Sequence, residues 1–282
     1  MTATTALKTH VKKSIRRARS LYAKTFQAFE PADLERVLHD LGVAAGDTLL
    51  LHSSFDEFAG FTGKPTAALA VLQRLITTDG ILMVPTLPFT GTAVGYAQGN
   101  PIFDPARTAS RMGLLTELFR RMPNVVRSIH PTHAVAAWGQ DAAAVVANHH
   151  LAGTPCGAGT PYARLLERRG KILLLGVDIR SVTFYHTIEE LLEERFPASP
   201  FTKDTYRLKS RTHDGTLIET ETRLYEPSVS KRRNLLKLLP YLKHRGVWRE
   251  KHLGRMDVVL LNAQDVLDAV RAMADKGVFC YD

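Results

Sequence analysis

His186 and Glu189 stand three positions apart in the segment Thr183-Phe-Tyr-His186-Thr-Ile-Glu189, just after the apolar run Lys171–Val177. On a helix that spacing puts both side chains on one face, within reach of a common atom. An imidazole beside a carboxylate takes a proton from an amine or an alcohol. The aliphatic run ending at Gly176 reads as a buried strand, and the polar turn after it as the entry to the helix. The couple therefore sits beyond a strand's carboxyl end, where open α/β sheets hold ligands. The chain reads as an enzyme.

Four other segments carry groups that could do chemistry. His52-Ser53-Ser54 follows a buried run, and its hydroxyls and turn amides suit phosphate oxygens; an ordinary turn or cap is the plainer reading. Asn100–Pro105 leads into Thr108-Ala-Ser110-Arg111-Met112-Gly113, in which Ser110 is a candidate N-cap and Arg111 suits an extended anionic ligand. Arg127-Ser-Ile-His130-Pro131-Thr132-His133 invites a metal reading. No cysteine lies near and the carboxylates are not spaced as ligands, so a structural pair or a pocket wall is favoured. Thr154–Tyr162 contains Cys156, with no neighbouring base to make it a nucleophile, and a small buried turn cysteine is the commoner case.

The elements that must position these groups alternate along the chain. Pro31–Leu41 reads as a helix closed by Gly42, Asp47–His52 as a strand, Pro65–Thr77 as a helix and Gly80–Pro85 as a strand. Ser110–Arg121 reads as a helix, Ala134–Trp138 as a strand, Pro161–Arg169 as a helix and Lys171–Val177 as a strand. Near the far end, Tyr206–Thr212 and Thr216–Tyr225 flank His213-Asp214-Gly215, a hairpin signal, and Met256–Leu261 precedes a closing helix over Asn262–Lys276. The expected class is α/β: a mixed, mainly parallel central sheet flanked by helices, with an antiparallel hairpin extension, attached to that sheet, in the C-terminal third. The expected organisation is a basic N-terminal helix over residues 1–29 and one domain over 30–282, with the hairpin near 203–226.

With 282 residues of which 45% are hydrophobic, the chain can bury a large core. Two cysteines exclude a disulfide framework and fit a reducing cytoplasm. No apolar run is long enough for a membrane span, and no secretory leader is legible. A formal net charge of +9 points to an anionic partner or co-substrate. The excess gathers at Lys8–Lys24 and Ser230–Lys251. The first cluster could contact nucleic acid or an anionic membrane, but a solvated helix face is the plainer reading, so no nucleic-acid partner is assigned.

Taken in order, His52-Ser53-Ser54, Gly80–Thr86, Phe103-Asp104-Pro105, Ser110-Arg111-Met112-Gly113 with Glu117 and Arg120, Arg127-Ser128 with His130-Pro131, Thr160-Pro161-Tyr162, Lys171–Gly176 and Thr183-x-x-His186-x-x-Glu189 resemble the aminoglycoside 3-N-acetyltransferase family. The resemblance implies transfer of an acetyl group from acetyl-CoA to an amine, with His186 as general base and Glu189 orienting it. It also implies that Ser53, Ser54, Thr108, Ser110, Arg111, Met112 and Gly113 border the CoA arm. Thr183 or a turn amide is the candidate donor to the developing oxyanion. Arg180-Ser181-Val182 and His133 depart from the pattern of many members. The implied acceptor is an aminoglycoside, an amino sugar or a related metabolite, in antibiotic resistance or in biosynthesis. No metal is expected, and a homodimer is allowed. The competing readings are a metal-dependent hydrolase using His130, His133, His186 and Glu189, and a binding protein acting through the basic N-terminal helix.

Overall fold

The computed structural model describes residues 27–282, and the N-terminal segment expected to be a basic helix lies outside the described residues but for its last three positions. Among the described residues ten strands follow in order: β1 (Thr48–Ser53), β2 (Ile81–Pro85), β3 (Ile102–Phe103), β4 (Val126–Arg127), β5 (Val135–Trp138), β6 (Lys171–Leu175), β7 (Phe201–Arg211), β8 (Leu217–Tyr225), β9 (Arg249–Leu253) and β10 (Met256–Asn262). The helices used below are α1 (Pro31–Leu41), α2 (Pro65–Ile76), α3 (Ala93–Gln98), α4 (Leu114–Phe119), α5 (Pro161–Glu167), α6 (Tyr185–Leu191), α7 (Pro227–Arg232) and α8 (Ala263–Ala274). Among the described residues no helix is long and apolar enough to cross a membrane.

The central strands are apolar on both faces because both faces are covered. Leu49 and Leu51 of β1, Leu173 and Leu175 of β6, and Val258 and Leu260 of β10 enter one core with Leu34 and Leu38 of α1 and Leu69 and Leu72 of α2. The intervening Leu50, Ile172, Leu174, Val259 and Leu261 enter a second core on the opposite face, with Tyr162 of α5, Ile188 of α6 and Val266 of α8. Each fully buried leucine contributes roughly 1.5–3 kcal/mol relative to exposure.

The seven-stranded sheet has the order β4-β5-β2-β1-β6-β10-β9. The class is the expected mixed α/β sheet flanked by helices, but parallel pairing is confined to its centre. β1 runs parallel to β2 and β6, while β5, β4, β10 and β9 are added antiparallel. Side-chain patterns of doubly covered strands carry no record of direction, which is why the parallel share looked larger in the sequence. From β1 the parallel neighbours lie on opposite sides, so the carboxyl end of β1, at Ser53, is a topological switch point where such sheets bind ligands.

The hairpin is not attached to the main sheet. β7 and β8 pair antiparallel, with Phe201 opposite Tyr225, and take β3 as a parallel third strand in a separate sheet. Ala93 and Ala97 of α3 pack on Leu208 and Leu224 of this hairpin. Behind β6, Gly176 adopts φ +65 and lies so close to Glu57 that a Cβ there would meet the Glu57 Cβ at 2.5 Å. Only glycine makes that bend, which turns the chain from β6 toward α6.

Candidate active site

α6 opens without a side-chain cap, and its first turn brings His186 and Glu189 onto one face. Nδ1 of His186 lies 2.7 Å from Oε2 of Glu189. An ionised carboxylate only accepts, so Nδ1 carries the proton and Nε2 keeps the lone pair. Glu189 is wholly enclosed, at 0% exposure, which demands compensation. Arg233, just after α7, donates from Nε to Oε1 at 2.9 Å and from Nη2 to Oε2 at 3.1 Å. The Tyr281 hydroxyl also donates to Oε1. Burial alone would raise the Glu189 carboxyl, but the bond and charge of His186 and the charge of Arg233 outweigh it and hold it below the ordinary range. For His186, burial and then the Arg233 charge prevail over the pull of Glu189 and keep the imidazole below its ordinary 6.5. The ring is neutral, base-competent and fixed in one tautomer at neutral pH.

Tyr225, at the end of β8, stacks on the His186 ring with 3.8 Å between centroids. Phe201 covers the other face of Tyr225 at 5.3 Å. The Tyr225 hydroxyl donates to Oε1 of Glu190 at 2.9 Å, and the same carboxyl accepts from the Thr154 hydroxyl and the Cys156 amide. Burial pushes Glu190 up to about 7. Glu190 is therefore an enclosed group of the site and not a solvated surface carboxylate. It pins the 154–157 turn, where a Cβ on Gly157 would sit 2.0 Å from Glu190 Oε2. Cys156 is buried, and its thiol is raised well above its ordinary range, chiefly by that burial, which removes it as a nucleophile.

Ser53, Ser54, Arg111, Met112 and Gly113 come together with Phe55 and Leu114 around a depression of about 510 Å³ at the carboxyl end of β1. Thr108 and Ser110 do not line it; they build the turn behind. Thr108 Oγ1 accepts from the Asp104 amide at 2.8 Å, and the buried Ser110 hydroxyl meets Thr116 Oγ1 at 2.7 Å. Ser110 does not cap the helix expected over Ser110–Arg121. That helix starts at Leu114, with Gly113 at its cap position. Arg127 braces the turn from below, donating to Thr86 Oγ1 at 2.8 Å and to the carbonyls of Thr86, Pro105 and Thr108.

His130 and His133 meet edge to face, 6.2 Å between centroids, and both are buried. Nδ1 of His130 accepts the His133 amide at 3.1 Å, and Nδ1 of His133 is bonded to the Thr132 hydroxyl at 2.9 Å. His133 stands edge-on to His186 at 6.1 Å as a wall of the site. Among the described residues no three His, Cys, Asp or Glu side chains converge as metal ligands, which removes the geometry that the hydrolase reading needs. Thr183 sits one turn before the base, its carbonyl accepting the His186 amide at 3.0 Å.

Sequence reasoning missed Tyr225, Glu190, Arg233 and Tyr281. Arg233 lay inside the second basic cluster, but nothing local ties it to a carboxylate 44 positions earlier.

The family model described as aminoglycoside 3-N-acetyltransferase matches residues 50–275. Aminoglycoside N(3)-acetyltransferase VII of Streptomyces paromomycinus is 30% identical over 256 residues, spanning 83% of this chain and 88% of that protein. The crystal structure of aminoglycoside acetyltransferase AAC(3)-Xa shares the fold with a TM-score of 0.77 at 23% identity, covering 93% of this chain and 98% of the other. A structure of AAC-IIIb as a binary complex with CoASH has a TM-score of 0.75 at 20% identity, covering 90% and 99%.

Proposed function

The chain belongs to the aminoglycoside 3-N-acetyltransferase family, and we propose that it moves the acetyl group of acetyl-CoA to a primary amine with His186 as general base. The observation that carries this reading is the enclosed Glu189 carboxylate 2.7 Å from Nδ1 of His186. Acetyl-CoA supplies the acyl group as an activated thioester.

An alkylammonium is protonated at neutral pH and cannot attack until it loses a proton. Nε2 of His186 receives that proton, a step typically worth ~10²–10⁴-fold. Glu189 holds the ring in the correct tautomer and stabilises the imidazolium that forms. Arg233 and Tyr281 keep Glu189 ionised and immobile, and the Arg233 charge keeps the resting imidazole neutral. The Thr183 hydroxyl, one turn before the base, is the donor assigned to the charge that develops on the carbonyl oxygen.

The depression at the carboxyl end of β1 suits the co-substrate arm. Among the described residues the Ser53 hydroxyl is enclosed without a hydrogen-bond partner, and Arg111 lines the depression beside it. Gly113, with φ +115, leaves the wall open. Ser53, Ser54, Arg111, Met112 and Gly113 are assigned to that arm, while Thr108 and Ser110 support them through the turn. The acceptor is the amine of an aminoglycoside, an amino sugar or a related metabolite.

The test follows thiol release from acetyl-CoA in the presence of amines. His186→Ala is expected to lose at least about a hundredfold in turnover while binding CoA as the parent does. Turnover retained in that variant removes His186 from the mechanism.

A further inference from the structure

Taking a proton from the amine is half of the proposed chemistry. The other half is the negative charge that gathers on the thioester oxygen as nitrogen attacks, and fixed donors aimed at that oxygen are what such a reaction gains most from. Thr183 is one donor assigned to it. A second stands across from the base. His133 is 3% exposed and lies edge-on to the His186 ring at 6.1 Å, with Tyr225 at 5.5 Å and Phe89 at 5.9 Å closing round it.

The hydrogen bonds of its own turn decide which ring nitrogen of His133 carries the hydrogen. Nδ1 of His130 accepts the amide of Thr132 at 3.3 Å and that of His133 at 3.1 Å, which occupy its one lone pair. The Thr132 hydroxyl lies 3.4 Å from that nitrogen but 2.9 Å from Nδ1 of His133, so it donates to His133. With Nδ1 accepting, the hydrogen of the neutral ring is on Nε2. Burial first, and the neighbouring His186 second, hold the ring well below its ordinary range, so it stays an uncharged donor. Among the described residues Nε2 of His133 meets no hydrogen-bond partner, and it is not enclosed as the orphaned Nε2 of His130 is. His130 is shut in against the His149 ring at 4.4 Å, whereas His133 opens on the base.

We propose that the Nε2–H of His133 is a second donor to the thioester oxygen, and so a further catalytic residue of the acetyl transfer. This rests on the acetyl-transfer reading above and deepens it. As the amine nitrogen bonds to the carbonyl carbon, the π pair moves onto oxygen, where the His133 N–H and the Thr183 hydroxyl meet it. When that pair returns, the C–S bond breaks and CoA leaves. The nitrogen's proton passes to Nε2 of His186 and from there to the departing sulfur, while His133 gives up no proton. The attacking nitrogen and the oxygen are two bonds apart, so one edge-to-face pair of imidazoles serves both atoms. Neutrality of His133 matters here, because a second imidazolium would oppose the charge that His186 must take up.

The experiment follows thiol release from acetyl-CoA by the full chain, with kanamycin and glucosamine as acceptors, alongside calorimetric binding of CoA. His133→Met fills similar space without a donor and is expected to lower kcat about a hundredfold with both acceptors. The KM of each acceptor and the affinity for CoA should stay near those of the parent. His133→Gln restores an N–H and is expected to recover about tenfold of that loss. The acidic limb of the pH–rate profile, which His186 sets, should not move in either variant. Retained kcat in His133→Met, equal losses in the two variants, a loss confined to one acceptor or to its KM, or lost CoA binding each overturns the proposal. Turnover in the parent that His186→Ala abolishes keeps the acetyl-transfer reading standing whatever His133 does. No transfer by the parent to either amine overturns that reading, and the proposal with it.

Discussion

The phenol ring of Tyr225 lies on the imidazole of His186, 3.8 Å between centroids with 23° between planes. Tyr225 belongs to the small hairpin sheet and His186 to α6, so this contact is where that sheet meets the helix that follows β6. Phe201 continues the column on the far side of Tyr225, and the Arg223 guanidinium caps Phe201 at 4.6 Å. A ring held by a carboxylate at Nδ1 and by an aromatic face is fixed in one orientation, as the proposed general base requires.

Tyr225→Ala should therefore cost turnover more than affinity, with kcat lower by about ten- to a hundredfold. Tyr225→Phe keeps the stack and loses only the bond to Glu190, so kcat should stay within about threefold of the parent. Steady-state kinetics of both variants check this, and equal losses in the two would show that the ring contact is irrelevant.

Arg233→Gln should move the acidic limb of the pH–rate profile upward. In the parent the imidazole lies below its ordinary 6.5, by burial first and by the Arg233 charge second, so activity is lost only as pH falls through that lowered value. Without the guanidinium, the imidazolium faces an uncompensated Glu189 and forms at higher pH. The variant should also lose ~3–5 kcal/mol of stability. Arg233→Lys, which keeps the charge without the fork, should leave the limb near that of the parent. A limb that stays in place in Arg233→Gln would disconnect Arg233 from the base.

Glu190→Gln should flatten the dependence of stability on pH. A carboxyl raised from 4.5 to about 7 on folding contributes stability that is fully present below the unfolded value and is lost as pH rises through the folded one. The parent should thus lose melting temperature between about pH 5 and about pH 8 from this group, and the amide variant should not. Parallel melting curves across that range would contradict the protonation assigned to Glu190.

Arg127→Lys should not behave as a conservative change. Arg127 is 4% exposed and donates to two carbonyls of the Pro105–Thr108 turn and to both oxygens of Thr86. A single ammonium cannot span that set, so a loss of ~1–3 kcal/mol is expected in denaturant unfolding, together with a raised KM for acetyl-CoA. An unchanged KM would separate the turn from the co-substrate site.

What was legible in the sequence was whatever a short window contains. The apolar runs of β1, β2, β6 and β10 announce themselves, and so does the three-residue step from His186 to Glu189. β9 did not, because Arg249-Glu-Lys-His-Leu253 is an edge strand whose charges guard it against further pairing. The separate sheet of the hairpin was invisible because its third strand, β3, is two residues long. The partners of Glu189 were out of reach, because Arg233 and Tyr281 lie 44 and 92 positions from it. Periodicity finds elements and neighbours; it does not find a counter-ion delivered by a different part of the fold.

The contact of Tyr281 with Glu189 bears on when catalysis can begin during synthesis. A ribosome-bound chain that has emerged only through α6 carries His186 and Glu189 but lacks the stacking phenol, the guanidinium and the hydroxyl that hold them. Residues 279–281 pack against Phe196 and pair with Arg233 only after β10 and α8 have closed the far side of the sheet. On the proposed reading, a shortened product that stops before Tyr281 keeps the His186–Glu189 motif and loses one of the donors that hold its carboxylate.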